Sequence, residues 1–281
     1  EFTNDADLLE THLESRGPDW ASAITGISVD EIEALARDYG VTERAIIRLG
    51  YGFSRSRNGS SGLHAVSCLP AVRGAWKHPG AGLYGSIGQN FNVNTSLVTG
   101  IDDPGVRQLD MSRLGPILMD HPEPLNGGPP VTAMLIQNTN PMMVAPDLNK
   151  VHAGFARDDL FVCVHEQFMT ETAKMADIVL PATTFVEHDD IYQGGGHQHI
   201  ILGDQVIEPL GEARNNHQVL AGLAPRLGAE HPGFDMTPSE HIDWMLRNSG
   251  WGDLETLRRE RWIDCQPDFE KAHYVKGFKQ P

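Results

Sequence analysis

Residues 131–184 constrain the fold more than any other part of the chain. They alternate short apolar runs with polar loops and helical segments. Residues 131–136 form a first run that ends in Gln137-Asn138-Thr139-Asn140-Pro141. Residues 160–164 form a second, ending in His165-Glu166-Gln167, and residues 178–180 a third, ending at Pro181. Between the first two, Pro146 opens a helix with Leu148, Val151 and Phe155 on one face. Between the second and third, Thr170 is placed to N-cap a helix that turns Ala173 and Ala176 inward. Strands alternating with helices predict a parallel sheet of right-handed crossover units. The polar loops then share the carboxyl end of the sheet, where such sheets bind ligands.

Upstream, residues 29–39 read as a helix. Ser28 and Glu31 make a capping box, Val29, Ile32, Leu35 and Ala36 form an apolar face, and Gly40 is a suitable stop. Residues 45–49 read as a buried strand ending in Gly50-Tyr51-Gly52. Residues 62–76 carry Leu63, Val66, Leu69 and Val72 at helical spacing, with Pro70 expected to kink or divide the helix. Residues 78–130 are rich in Gly and Pro with little periodicity, and loops of that length are usually functional or mobile. Residues 197–207 suggest a hairpin around Gly203-Asp204. Helices are expected near 216–227, 238–247 and 254–262, the second opened by the capping box Thr237-Pro238-Ser239-Glu240. The expected organisation is a helical segment 1–27, an α/β domain 28–230 that includes the 78–130 excursion, and a helical segment 231–281.

With 281 residues, 40% of them hydrophobic and 21% charged, the chain can bury one large core or two smaller ones. Twenty-two basic residues against 38 acidic leave a formal charge of −16, and no basic run occurs, which argues against nucleic acid as a partner. No apolar run reaches the roughly 20 residues of a membrane span. The start EFTNDADLLE lacks the basic region and apolar core of a secretion signal, so a cytoplasmic protein is expected. The Glu1-Phe2 start, without Met, suggests a cut or processed chain. Cys68, Cys163 and Cys265 stand far apart, outside any C-x-x-C pair. That argues against a zinc ribbon or an iron-sulfur cluster built by this chain alone, and Cys163 reads as a small core residue.

The strand-end residues suit a nucleotide. Gly50 and Gly52 let a backbone approach closely, Asn138 and Asn140 offer donors and acceptors, and Glu166 can accept from a ribose or a guanine edge. Helices beginning after Pro141 and near Thr170 would direct amide N–H groups at anions. Each part has a plainer reading: a turn at Gly-Tyr-Gly, a strand exit at Asn140-Pro141, a solvated Glu166. Their recurrence at successive strand ends favours nucleotide binding. His197 and His199 share a strand face near Glu187-His188-Asp189-Asp190, but two imidazoles need an imported third ligand. A loop whose His and Asp groups hydrogen-bond backbone or cofactor is the preferred reading there.

The segments VTAMLIQNTNPMMVAPDLNKV, DLFVCVHEQFMTETAKMADIVLPATTFVEHDD and NHQVLAGLAPRLG resemble the large catalytic subunit of molybdopterin oxidoreductases of the formate dehydrogenase and dimethyl sulfoxide reductase type. The resemblance runs from about Trp20 to Trp262 and is most specific in the middle. It implies an α/β, Rossmann-like, doubly wound domain with helices on both faces of its parallel sheet. It also implies a cofactor of molybdenum or tungsten on two pterin guanine dinucleotides, for two-electron redox or oxygen-atom transfer. The family's Gly-x-Asn-Pro loop falls on Asn138, Thr139, Asn140 and Pro141, with Asn138 in place of Gly, a residue that tolerates positive φ. Its acidic residue falls on Glu166, and its Thr-x-Thr-Ala helix start on Thr170, Thr172 and Ala173. Its glycine loop matches Gly50, Tyr51 and Gly52, and its Gly-rich stretch residues 82–90, with Ser86, Gln89 and Asn90 as polar candidates.

On this resemblance the chain is an internal piece of a larger enzyme. An iron-sulfur cluster and the metal's protein ligand would come from earlier in the parent, and a β-barrel from later. Its partners would be those missing domains and an electron-transfer subunit, and no catalytic or metal-ligating residue is assigned within it. Two alternatives stay open: a cofactor-free structural domain of an electron-transfer complex, and an independent nucleotide-binding module.

Overall fold

The structure, a computed structural model, describes residues 6–86, 88–99 and 105–277. In chain order the first elements are α1 (Ala6–Leu13), α2 (Pro18–Thr25), α3 (Val29–Val41), β1 (Ile46–Arg48), α4 (Gly59–Arg73), β2 (Gly82–Tyr84), α5 (Gly88–Phe91), α6 (Ser96–Thr99) and α7 (Leu114–Leu118). The middle holds β3 (Ala133–Gln137), α8 (Pro141–Val144), α9 (Leu148–Phe155), β4 (Phe161–Glu166), α10 (Glu171–Lys174) and β5 (Ile178–Pro181). Then follow β6 (Asp190–Tyr192), β7 (His199–Gly203), α11 (Asn216–Leu227), α12 (Pro238–Ser249), α13 (Leu254–Glu260), β8 (Trp262–Asp264) and α14 (Phe269–Ala272). The fold is mixed α/β, with parallel sheets flanked by helices. No helix among the described residues is long and apolar enough to cross a membrane.

The chain divides into two compact units. One comprises residues 1–91, 193–199 and 264–281, the other residues 92–192 and 200–263. In the first, α3 opens with the expected capping box: the Glu31 N–H donates to Ser28 Oγ and the Ser28 N–H to Glu31 Oε2. It runs one residue past Gly40, and the Arg73 guanidinium then takes up the carbonyls of Gly40, Thr42 and Glu43. Pro70 does not divide α4, which continues to Arg73 and ends on Gly74 at φ +68°. A proline costs that helix one N–H, and Pro70 is buried where it stands.

The described part of the 78–130 segment holds more secondary structure than its composition suggests. It supplies β2, which pairs in parallel with β1 in the register Ile46↔Gly82 and Arg48↔Tyr84. Gly82 stands at φ +119°, and a Cβ there would fall 2.4 Å from the Trp76 ring, so this glycine seats a tryptophan. In the second unit the same segment contributes α7.

The second unit is built on the parallel sheet β3-β4-β5, in the register Gln137↔His165 and Glu166↔Pro181. Side chains alternate across such a sheet. Ile136, Val162 and Val164 point to a core shared with Leu118 of α7, Met142 of α8, Val151 and Phe155 of α9 and Ala173 of α10. On the opposite face Leu135, Phe161 and Ile178 stay 42%, 47% and 45% exposed. Helix α7 lies tightly against α9, because Gly154 has no side chain: a Cβ there would sit 2.4 Å from Leu118 Cβ.

The hairpin expected around Gly203-Asp204 is displaced. β6 and β7 pair antiparallel, Asp190↔Gly203 and Tyr192↔Ile201, so the reversal falls on residues 193–198, where Gly194, Gly195 and Gly196 stand. Gly203 instead ends a strand, with room only for the Tyr192 ring over it. The third strand of this sheet is β8, beside β7.

Candidate functional site at the strand ends

Leaving β3, Asn138 takes φ +58° and is exposed, so the tolerance of Asn for the left-handed region is used here. Asn140 turns its amide towards the next crossover. Its Oδ1 accepts from Thr172 Oγ1 at 2.6 Å and from the Thr172 N–H at 3.3 Å, and its Nδ2 donates to Glu171 Oε2 at 3.3 Å. Thr172 is fully buried and its Oγ1 accepts the Met142 N–H at 3.1 Å. Pro141 is buried at the start of α8, and Thr170 caps α10 as expected, its Oγ1 accepting the Ala173 N–H at 3.2 Å. The loop after β3 and the helix after β4 are thus stitched together.

This stitching corrects one expectation. Helices α8 and α10 are single turns, too short to develop much dipole. The amides of Met142, Thr172 and Ala173 are moreover spent on Thr172, Asn140 and Thr170. Their starts shape the loops and offer an anion little.

Glu166, half-buried at the end of β4, is held by one oxygen only. Its Oε1 accepts the Gln167 N–H at 2.7 Å, and its Oε2 has no partner among the described residues. Next to it lies a polar network that the sequence did not reveal. His165 is 1% exposed; its Nε2 lies 2.9 Å from the Arg214 carbonyl and its Nδ1 3.0 Å from Gln137 Nε2. A carbonyl only accepts, so Nε2 carries the proton and Nδ1 accepts from the Gln137 amide. Buried Thr183 extends the network. Its N–H donates to the Arg214 carbonyl at 3.2 Å, its Oγ1 meets His188 Nδ1 at 2.9 Å and its carbonyl accepts from Gln167 Nε2 at 2.8 Å. The only sequence-level signal was that Gln137 and His165 are polar residues at the ends of apolar strands.

Glu187, 6% exposed, is a clamp between loops. Its Oε2 accepts the Thr184 N–H at 2.7 Å and its Oε1 the Leu210 N–H at 2.7 Å. These amides hold its carboxyl below the usual range. Burial pushes the neighbouring Asp190 carboxyl up. His197 Nδ1 accepts the His199 N–H at 3.1 Å, and no group of three or more metal-ligating side chains occurs among the described residues. Burial also raises the Cys163 thiol, in keeping with an unreactive strand residue.

In the first unit, Gly50, Tyr51 and Gly52 follow β1 and Ser86 follows β2, so they meet at the carboxyl end of that parallel pair. Tyr51 is 72% exposed. Gly52 has an ordinary helical φ of −54°, and a Cβ on Gly50 or Gly52 would touch nothing within 4 Å. The backbone does not demand glycine here, and the approach to it is open. Ser86 Oγ accepts the Gly88 N–H at 3.3 Å. Asn90 is half-buried in α5, while the side chain of Gln89 lies outside the described ones.

Residues 20–226 match the family described as molybdopterin oxidoreductase. Over 234 residues the chain is 37% identical to the probable oxidoreductase YoaE of Bacillus subtilis, covering 81% of this chain and 33% of that protein. It is 29% identical to biotin sulfoxide reductase of Cereibacter sphaeroides, covering 80% and 33%. It is 28% identical to trimethylamine-N-oxide reductase of Haemophilus influenzae, covering 79% and 30%. In fold it matches acetylene hydratase from Pelobacter acetylenicus with a TM-score of 0.70 at 19% identity, over 95% of this chain and 41% of that one. The chain therefore belongs to the molybdopterin oxidoreductase family. It spans about a third of the length of these curated relatives.

Proposed function

We propose that this chain forms part of the cradle for a pterin cofactor carrying molybdenum or tungsten, and that it meets the guanine dinucleotide portion. The observation that carries this reading is the half-tied Glu166 carboxylate beside exposed Asn138, at the carboxyl ends of adjacent parallel strands. One Glu166 oxygen is fixed by a backbone amide, and the other is open to a ribose hydroxyl or a guanine edge. Asn138 offers an amide donor and acceptor on the neighbouring loop. Asn140, Pro141, Thr170 and Thr172 hold that loop in place. Gly50, Tyr51, Gly52, Ser86, Gln89 and Asn90 are proposed as cofactor-binding residues of the first unit, taken by itself.

The bound cofactor would supply two-electron redox or oxygen-atom transfer. The share of this chain is to bind, orient and shield it from water. An iron-sulfur cluster, the protein ligand to the metal and an electron-transfer partner belong to other parts of the assembly on this reading.

The test is metal and pterin analysis of the full-length protein, with Glu166→Ala alongside. The expected result is molybdenum or tungsten together with pterin in the natural protein, and loss of cofactor from a variant that still folds and unfolds cooperatively. A stable natural protein free of both metal and pterin would overturn the reading in favour of a structural domain.

A further inference from the structure

Arg214 stands apart from the other arginines of its unit. Arg113, Arg157, Arg247, Arg259 and Arg261 pair with carboxylates. Arg107 and Arg226 donate to carbonyls and Arg258 to a hydroxyl. The Arg214 guanidinium is exposed and meets no acceptor among the described residues, in a chain with 38 acidic residues against 22 basic.

Its backbone, by contrast, is held from three sides. The Arg214 N–H donates to the Pro181 carbonyl at 3.1 Å, and the Arg214 carbonyl accepts from the Thr183 N–H at 3.2 Å and from His165 Nε2 at 2.9 Å. A parallel bridge between Ala182 and Arg214 sets this segment just beyond β5, whose Pro181 lies in register with Glu166. Arg214 therefore continues the row of strand ends that begins with Asn138 and Glu166.

A buried histidine with both ring nitrogens engaged, backed by a glutamine, is a costly way to fix one carbonyl of an exposed residue. It makes sense where the attached side chain must be presented in one place. Guanidinium groups match the oxygens of phosphate in charge and geometry. We infer that Arg214 is a phosphate-contacting residue for the nucleotide at these strand ends, and that His165 is the residue that positions it. This rests on the nucleotide reading of the site given above.

The experiment measures binding of two probes, guanosine diphosphate and guanosine, to cofactor-free full-length protein by titration calorimetry. Arg214→Gln is expected to weaken guanosine diphosphate about tenfold, the loss of a charge-assisted hydrogen bond, while guanosine binds as before. His165→Leu should show the same phosphate-selective loss. His165→Gln, which keeps a donor near the Nε2 position, should recover most of the affinity. Natural protein that binds guanosine diphosphate, with Arg214→Gln unchanged, overturns the inference and leaves the nucleotide reading intact. Natural protein that binds neither probe overturns both. Equal weakening of both probes in His165→Leu makes His165 a structural residue only. If that variant does not fold, Arg214→Gln decides the phosphate contact and His165→Gln, with normal affinity, the need for the donor.

Discussion

The Thr172 hydroxyl donates to Asn140 Oδ1 at 2.6 Å and accepts the Met142 N–H at 3.1 Å, so the loop leaving β3 and the helix following β4 form one hydrogen-bonded body. The contact is fully buried on the Thr172 side. It explains how two short loops that carry candidate ligand groups keep a fixed separation without long helices behind them.

Replacing Thr172 by Val keeps the volume and removes the hydroxyl. The Met142 N–H then loses its acceptor and Asn140 Oδ1 its main donor, for an expected loss of about 1–3 kcal/mol of stability. Thr172→Ser should restore most of it. Urea unfolding of the three proteins checks this, and a Val variant as stable as the natural one would show that the latch is solvated.

Gly154→Ala tests whether α7 belongs to the core. In an exposed helix interior Ala would add about 0.8–1 kcal/mol over Gly. Here the new Cβ would sit 2.4 Å from Leu118 Cβ, and overpacking of about 1–3 kcal/mol should win. Leu118→Ala, at a side chain with no exposure, should lose about 2–5 kcal/mol through the cavity it leaves. Thermal denaturation of both variants measures these losses. Little change in either would mean that the 78–130 segment does not pack on α9.

Glu187 sets an acid limb. Its carboxyl is held down by the Thr184 and Leu210 amides, so the folded form stays ionised at a pH where the unfolded chain, titrating at about 4.3, takes up a proton. The stability it contributes is full above that unfolded value and is lost as the pH falls through the lower folded one. Glu187→Gln should be less stable than the natural protein at neutral pH, with the two curves converging in acid. Melting temperature against pH checks the sign; parallel curves would remove Glu187 from the acid transition.

Much of the local structure was legible in the sequence. The capping boxes at Ser28 and Thr237 and the Thr170 cap depend on residues three apart, and all three form. Strands β1, β3, β4 and β5 are short apolar runs with polar ends, although β1 is not buried as expected, with Ile46 56% exposed; α9 turns Val151 and Phe155 to the core as its spacing requires, while Leu148 stays 39% exposed. The motif words around Asn138–Pro141 and Glu166–Thr172 placed the chain in its family because each lies within one contiguous loop.

What the sequence left dark joins residues remote from one another. Strand β2 has three residues and no alternation to display, so only its pairing with β1 defines it. The hairpin reversal fell on glycines at 194–196 because strand pairing overrode a turn signal at Gly203-Asp204. His165 reaches a carbonyl 49 positions away and Gln137 a ring 28 away. Periodicity and capping report on neighbours along the chain, so the sequence by itself determined the capped helices, the strand-helix alternation of residues 131–184 and the family, but not β2, α7 or the hairpin reversal. The tertiary structure decided which polar groups are spent on each other and which, like Glu166 Oε2 and the Arg214 guanidinium, stay open among the described residues, because hydrogen bonds across strand ends depend on sheet register and loop closure.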